Sequence, residues 1–240
     1  MSAVASVPAR RLPWARLAVL GTGTLTMGVG IALLVASRLG MVPMDTVHLA
    51  VAHQLGWTLG LGILACQATL LATFLPLKVR PGIGTAVGLV VPAVTADAVL
   101  AFLPSLNSLV VRLIVFTAGG GLFCLGVALY LAAALGPLPR DGLMLVLGGD
   151  REASGHNGWR LALARIGIDV VFVAGATAIF GPAEAVRTGA VGVGTVVLAL
   201  ASGPVIARAL RRLRRIPSLA PPTSAQPRPV RARHAAAETT

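Results

Sequence analysis

Residues 16–45 read RLAVLGTGTLTMGVGIALLVASRLGMVPMD, and residues 112–141 read RLIVFTAGGGLFCLGVALYLAAALGPLPRD. Laid over one another at an offset of 96, twelve of the thirty positions are identical. Arg16 falls on Arg112, Gly23 on Gly119, Gly30 on Gly126, Gly40 on Gly136, Pro43 on Pro139 and Asp45 on Asp141. Shared apolar composition would not align an arginine, a proline and an aspartate, so the chain carries an internal duplication. A second echo lies further on. Gly82-Ile83-Gly84-Thr85 matches Gly192-Val193-Gly194-Thr195 at an offset of 110, and the extra residues fit in the polar loop GGDREASGHNGW, 148–159.

Composition says which solvent the duplicated unit meets. The 240 residues are 56% hydrophobic and only 12% charged, with a mean hydropathy of +0.85. Soluble domains carry roughly 25% charged residues. So much apolar surface needs a bilayer to cover it. The 28 glycines and 16 prolines suit close packing of helices in lipid. Six apolar stretches approach the ~20 residues that span hydrocarbon: 17–37, 59–77, 83–103, 109–134, 161–180 and 189–210. Two shorter pieces, 45–55 and 141–147, are too short to cross and read as interfacial or re-entrant helices. The first stretch has a signal-peptide flavour, with Arg10 and Arg11 before it and Val35-Ala36-Ser37 at its end. Its internal copy cannot be a signal, so it reads as a retained helix.

The expected architecture is therefore all-α and membrane-embedded. Six transmembrane helices form two three-helix repeats, each with a short amphipathic or re-entrant helix after its first span. The segments are a cytoplasmic N-terminal 1–15, a first repeat 16–108, a second repeat 109–210, and a disordered basic tail 211–240. The net charge of +12 would suggest nucleic acid in a soluble chain. Here the arginines sit at segment ends and in the tail. With the N-terminus inside, 17 of the 20 basic residues fall on the inner side and only Arg38, Arg112 and Arg187 on the outer. The positive-inside rule then puts both termini in the cytoplasm, and no nucleic acid is expected. Three crossings per half is an odd number, so the second half is expected to be inverted, with Asp45 at the outer face and Asp141 at the inner.

Few residues could carry chemistry. Gly40, Pro43, Gly136 and Pro139 mark helix breaks. Asp45 and Asp141 come just after them, placed either to N-cap the next helix or to contact an ion, proton or substrate. Gly82, Gly84, Thr85, Gly192, Gly194 and Thr195 form turns without nucleotide-loop spacing. The glycines allow close helix approach, and the threonines can cap the next helix. Three ionisable residues lie within spans, where a charge is costly. Arg165 and Asp169, four apart, are expected to pair. Asp97 has no local partner and is a candidate cavity-facing carboxylate, joining Asp45 and Asp141 on a substrate or ion pathway. His48 and His53, five apart, do not share the face two metal ligands need. Cys66 and Cys124 show no ligand spacing and read as packing residues. No metal, no cofactor and no catalytic residue is expected.

The strings LGMVPMD (39–45), RPGIGT (80–85), LGPLPRDGLM (135–144) and GVGT (192–195) resemble the YczE/YyaS/YitT family of bacterial membrane proteins, and its YczE branch in particular, over about residues 14–213. The resemblance implies an inner-membrane protein, for which a transport role is often supposed, and it brings no catalytic residues with it. Two functions compete on this footing. One is a small-solute permease, the other an accessory or regulatory membrane protein. Six helices are few for a permease, which makes a homodimer a candidate assembly beside the lipid bilayer and an unknown small molecule as partners.

Overall fold

The computed structural model describes residues 14–72, 82–136, 138, 158–216 and 219, without the side chains of 158–165. Eight helices are described: α1 (Trp14–Ser37), α2 (Pro43–Leu55), α3 (Leu59–Ala72), α4 (Ile83–Phe102), α5 (Leu109–Ala133), α6 (Gly158–Phe180), α7 (Pro182–Arg187) and α8 (Val193–Leu213). Four of them, α1, α4, α5 and α8, are long and apolar enough to cross a membrane. The α2–α3 pair adds a fifth candidate crossing, bent by 116° as a broken span or re-entrant loop. Large apolar side chains such as Val94, Ile114, Val171 and Leu200 are exposed, as a chain facing lipid requires and a water-facing one avoids. The chain is a multi-pass, all-helical membrane protein.

α1 and α5, the two copies of the duplicated stretch, form the central pair. Their contact runs through glycine. A methyl added at Gly30 would stand 2.5 Å from Phe123 N, and one added at Gly126 would stand 2.5 Å from Met27 N. Gly23 meets Gly126, and Gly30 meets Gly119. As one index rises the other falls, so the two helices run antiparallel. Backbones this close gain dispersion contact, which replaces the hydrophobic drive that lipid does not supply. α4 packs on α1, α8 packs on α5, α3 leans on α4, and α2 lies between α3 and α6. The main core joins Met27, Ile31 and Leu34 of α1 to Ala93 and Ala96 of α4, Phe123 of α5, Leu59 and Ile63 of α3, and Leu198 of α8.

The breaks have local causes. After α1, Arg38 takes φ 53° and Gly40 φ 131°. After α5, Ala134 takes φ 52° and Gly136 φ 145°. These two left-handed pairs are again 96 residues apart. α2 begins at Pro43 rather than at the expected 45, because a proline at the first helical position needs no donor and arrives with a helical φ. Its end is a Schellman motif: Gly56 at φ 65°, with Gly56 N–H on His53 O and Trp57 N–H on Ala52 O. α8 runs to Leu213, so Arg211 and Arg212, expected in the disordered tail, are helical.

Candidate functional site

The two L-G breaks and the two G-x-G-T turns dock on one another across the chain. Gly194 N–H donates to Leu39 O at 2.9 Å, and Gly84 N–H donates to Leu135 O at 3.0 Å. Each turn therefore holds the break of the other copy. The glycines are required by closeness: a Cβ on Gly40 would collide with Thr195 N, and one on Gly82 with Leu135 O. The threonines complete the joints. Thr85 Oγ1 accepts Gly82 N–H at 3.1 Å, and Thr195 Oγ1 accepts Gly192 N–H at 3.2 Å. Each is the third residue of its helix reaching back to the residue before it, half of a capping box. Thr195 Oγ1 also accepts Met41 N–H at 3.2 Å. A third tie comes from Arg112, whose guanidinium donates to Ser37 O at 2.6 Å and Arg38 O at 2.7 Å. It places a cation on the carbonyl end of α1, where the helix dipole favours one.

Asp45 sits in the first turn of α2, but it is not the N-cap; Val42 is, and no side chain caps this helix. Its side chain turns inward. Asp45 is 6% exposed and His48 1%. His48 Nδ1 meets Asp45 Oδ1 at 3.0 Å. The other two atoms of the pair, Asp45 Oδ2 and His48 Nε2, are buried with no hydrogen-bond partner among the described residues, as is Gln67 Oε1 on α3. Buried polar atoms are nearly always paired, which sets these three apart. The sequence singles out Asp45, whereas His48 is weighed only together with His53 and set aside as a metal ligand. The i, i+3 spacing that puts Asp45 and His48 on one face is the signal for this pair.

Asp97 has a partner, though not a side chain. Its Oδ1 accepts Gly60 N–H at 2.7 Å, so a carboxylate from α4 closes the N-terminal end of α3, joined by Thr58 Oγ1 on Leu61 N–H. At the far end of α2, His53 packs on Phe180 with ring centroids 5.2 Å apart. It lies 4.0 Å from Glu184, which forms a two-pronged pair with Arg187 at 2.7 and 2.8 Å. The Arg187 guanidinium holds the Glu184 carboxyl below its usual range, with a smaller contribution from His53. Neither Glu184 nor Gln67 stands out in the sequence. Asp169 is buried on α6; the Arg165 side chain, Asp141 and Pro139 lie outside the described residues. No group of three or more His, Cys, Asp or Glu that could hold a metal occurs among the described residues.

Comparison with known proteins adds a family. Residues 14–211 match the family of unknown function designated DUF6198. The chain belongs to that family. It is similar to the uncharacterized membrane protein YczE of Bacillus subtilis, 27% identical over 186 residues, which is 77% of this chain and 80% of that one. It is also similar to an uncharacterized protein of Haemophilus influenzae, 33% identical over 119 residues, 50% of this chain and 55% of that one. No solved structure matches. The DUF6198 match covers both L-G breaks and both G-x-G-T turns, so the docked joints belong to the family's region, and the chain from Arg212 onward lies beyond it.

Proposed function

We propose that this DUF6198 protein is a small-solute permease made of two three-helix halves, 16–108 and 109–210, inverted relative to one another. It crosses the membrane six times, with α3 and α6 supplying the crossings beyond the four long helices, and keeps both termini in the cytoplasm. The reciprocal docking of turns on breaks carries this reading. A two-fold operation exchanging the halves would demand both Leu39–Gly194 and Leu135–Gly84, and both bonds are made. The α1–α5 glycine contacts exchange under the same operation. Because those helices are antiparallel, its axis lies across them, in the plane of a membrane they span.

Inverted halves with broken helices at their interface are a recurrent transporter plan. The bent α2–α3 pair is such a break, entered through the buried Asp45 and closed at α3 by Asp97. Asp141 holds the place of Asp45 in the second half. Rocking of one half on the other would open one dock while the second holds. The test is uptake by proteoliposomes across a panel of metabolites, ions and vitamins, with Asp45→Asn and Asp141→Asn in parallel. The expected result is a solute that accumulates with the unmodified chain and not with the variants at equal folded protein.

A second reading, an accessory or regulatory protein, is favoured by the exposed arginines 208, 211, 212, 214 and 215 at the end of α8. If deleting 211–240 abolishes the cellular effect, a partner co-purifies, and both aspartate variants remain active, the permease reading falls.

A further inference from the structure

The outward face of α8 changes character along its length. Leu200 and Pro204, then Arg208, Arg211, Arg212 and, just past the helix end, Arg215 are all exposed. They follow one another at steps that place them in one stripe. Leu198 and Ser202, on the side turned to the protein, are buried. We propose that this stripe binds an anionic phospholipid, with its phosphate among the arginines and an acyl chain along Leu200 and Pro204. The level suits a headgroup. Gly194 meets Phe116 and Gly120 meets Leu198, both at an offset of 78, so α8 runs parallel to α5. The same offset sets Arg211 level with Ala133, where α5 ends. Arg208 then lies about one turn before that level and Arg215 about one turn beyond it, a reach of about 10 Å. The headgroup layer on one side of a bilayer is about 5–8 Å deep, so the stripe crosses it whole.

The charges call for an anion. Like charges three and four apart on a helix repel, and none of these four arginines pairs with a described residue. The helix dipole favours cations in the last turn. That accounts for Arg211 and Arg212, but not for Arg208 a turn earlier, nor for the shared outward face. A phosphodiester offers two oxygens to the fork of a guanidinium. A soluble acidic partner, protein or nucleic acid, would meet the arginines and leave Leu200 and Pro204 unused. A phospholipid matches both ends of the stripe. The site does not depend on the permease reading. It also removes the support that the accessory reading draws from these arginines, since their partner is then lipid.

The test is lipid retention by the purified full chain in neutral detergent, read by native mass spectrometry with phosphatidylglycerol and phosphatidylcholine supplied in equal amounts. Phosphatidylglycerol should be retained roughly tenfold better or more. The triple variant Arg208→Gln, Arg212→Gln, Arg215→Gln should lose that preference. The charge-matched triple Arg228→Gln, Arg231→Gln, Arg233→Gln, later in the chain, should keep it. Equal retention of the two lipids by the unmodified chain, or equal loss in both triples, overturns the site. Full displacement of the lipid by inorganic phosphate at equal concentration overturns it too, leaving a bare phosphate site. An acidic protein or RNA that co-purifies and is lost only from the first triple would hand the stripe to that partner instead. The comparison of the two lipids needs only the unmodified chain, so a variant that fails to fold does not decide it.

Discussion

At Gly30 of α1 the chain has no room for one more carbon. The nearest atoms to an added Cβ are the Phe123 nitrogen and α-carbon and the Gly119 oxygen, all backbone, so no side chain can swing away. Gly30→Ala should therefore cost about 1–3 kcal/mol of overpacking. Gly121→Ala, on the same α1–α5 pair but with nothing within 4 Å, should be neutral or gain up to about 1 kcal/mol from the helix propensity of alanine. Thermal unfolding in detergent separates the two; equal effects would mean the glycine contact is not close. Thr195 makes a sharper case. Its hydroxyl oxygen serves Gly192 N–H and Met41 N–H together. Thr195→Val keeps the shape and strands two donors, at a cost of about 1–3 kcal/mol for each that stays buried, whereas Thr195→Ser should recover most of it. The glycines and threonines of these motifs are legible in the sequence as tight turns and caps, because a positive φ and a capping hydroxyl are local requirements. Their partners are not legible, because Thr195 and Met41 are 154 residues apart. Asp97 shows the same limit. Its partner is a backbone N–H 37 residues away, which no residue pattern announces.

Helices are more legible than their joints, since apolar length is written into consecutive residues. The expected 83–103 and 109–134 are Ile83–Phe102 and Leu109–Ala133 in the structure. What escapes is α7, a six-residue helix started by Pro182 inside a polar turn and too short for any periodicity to show. At this scale Arg112 is the residue to change. Its guanidinium, carried by the start of α5, gathers two carbonyls at the end of α1. Arg112→Ala should cost up to about 3 kcal/mol through lost charge-assisted bonds. Arg112→Lys should restore only part, having a point charge where a planar fork is used; full rescue by lysine would reduce the tie to charge alone. The α7 corner predicts a pH dependence. Glu184 has its carboxyl lowered in the folded chain, first by its hydrogen bond from Arg187. A lowered folded-state value means the stabilisation is present above the ordinary carboxyl range and disappears as pH falls through the folded value. The melting-temperature difference between the unmodified chain and Glu184→Gln should therefore be small but measurable at neutral pH, since the pair is exposed, and should vanish in acid. A difference that grows in acid would contradict the assignment.

For the whole molecule, the question is whether the two halves face opposite ways, and one pair of positions answers it. Arg38 and Ala134 are equivalent under the duplication, and both adopt φ near +52° just after α1 and α5. Both are exposed, and neither side chain is asked to hold the fold, since Arg112 uses the backbone oxygen of Arg38 rather than its guanidinium. In a chain with Cys66 and Cys124 replaced, a single cysteine at position 38 or 134 is therefore a tolerated reporter of which side each break faces. If the halves are inverted and the termini lie inside, Arg38→Cys should react with a membrane-impermeant maleimide in intact cells. Ala134→Cys should react only after the membrane is opened. The antiparallel run of α1 and α5 requires opposite sides for any arrangement in which both cross, and the bias of arginine toward one side says which is which. Labelling of both from outside would mean that α1 and α5 do not both span, and the two-fold permease plan would go with them. Reversed labelling would keep the plan and turn the protein over, placing the buried Asp45–His48 pair on the cytoplasmic rather than the outer side of the two-fold axis.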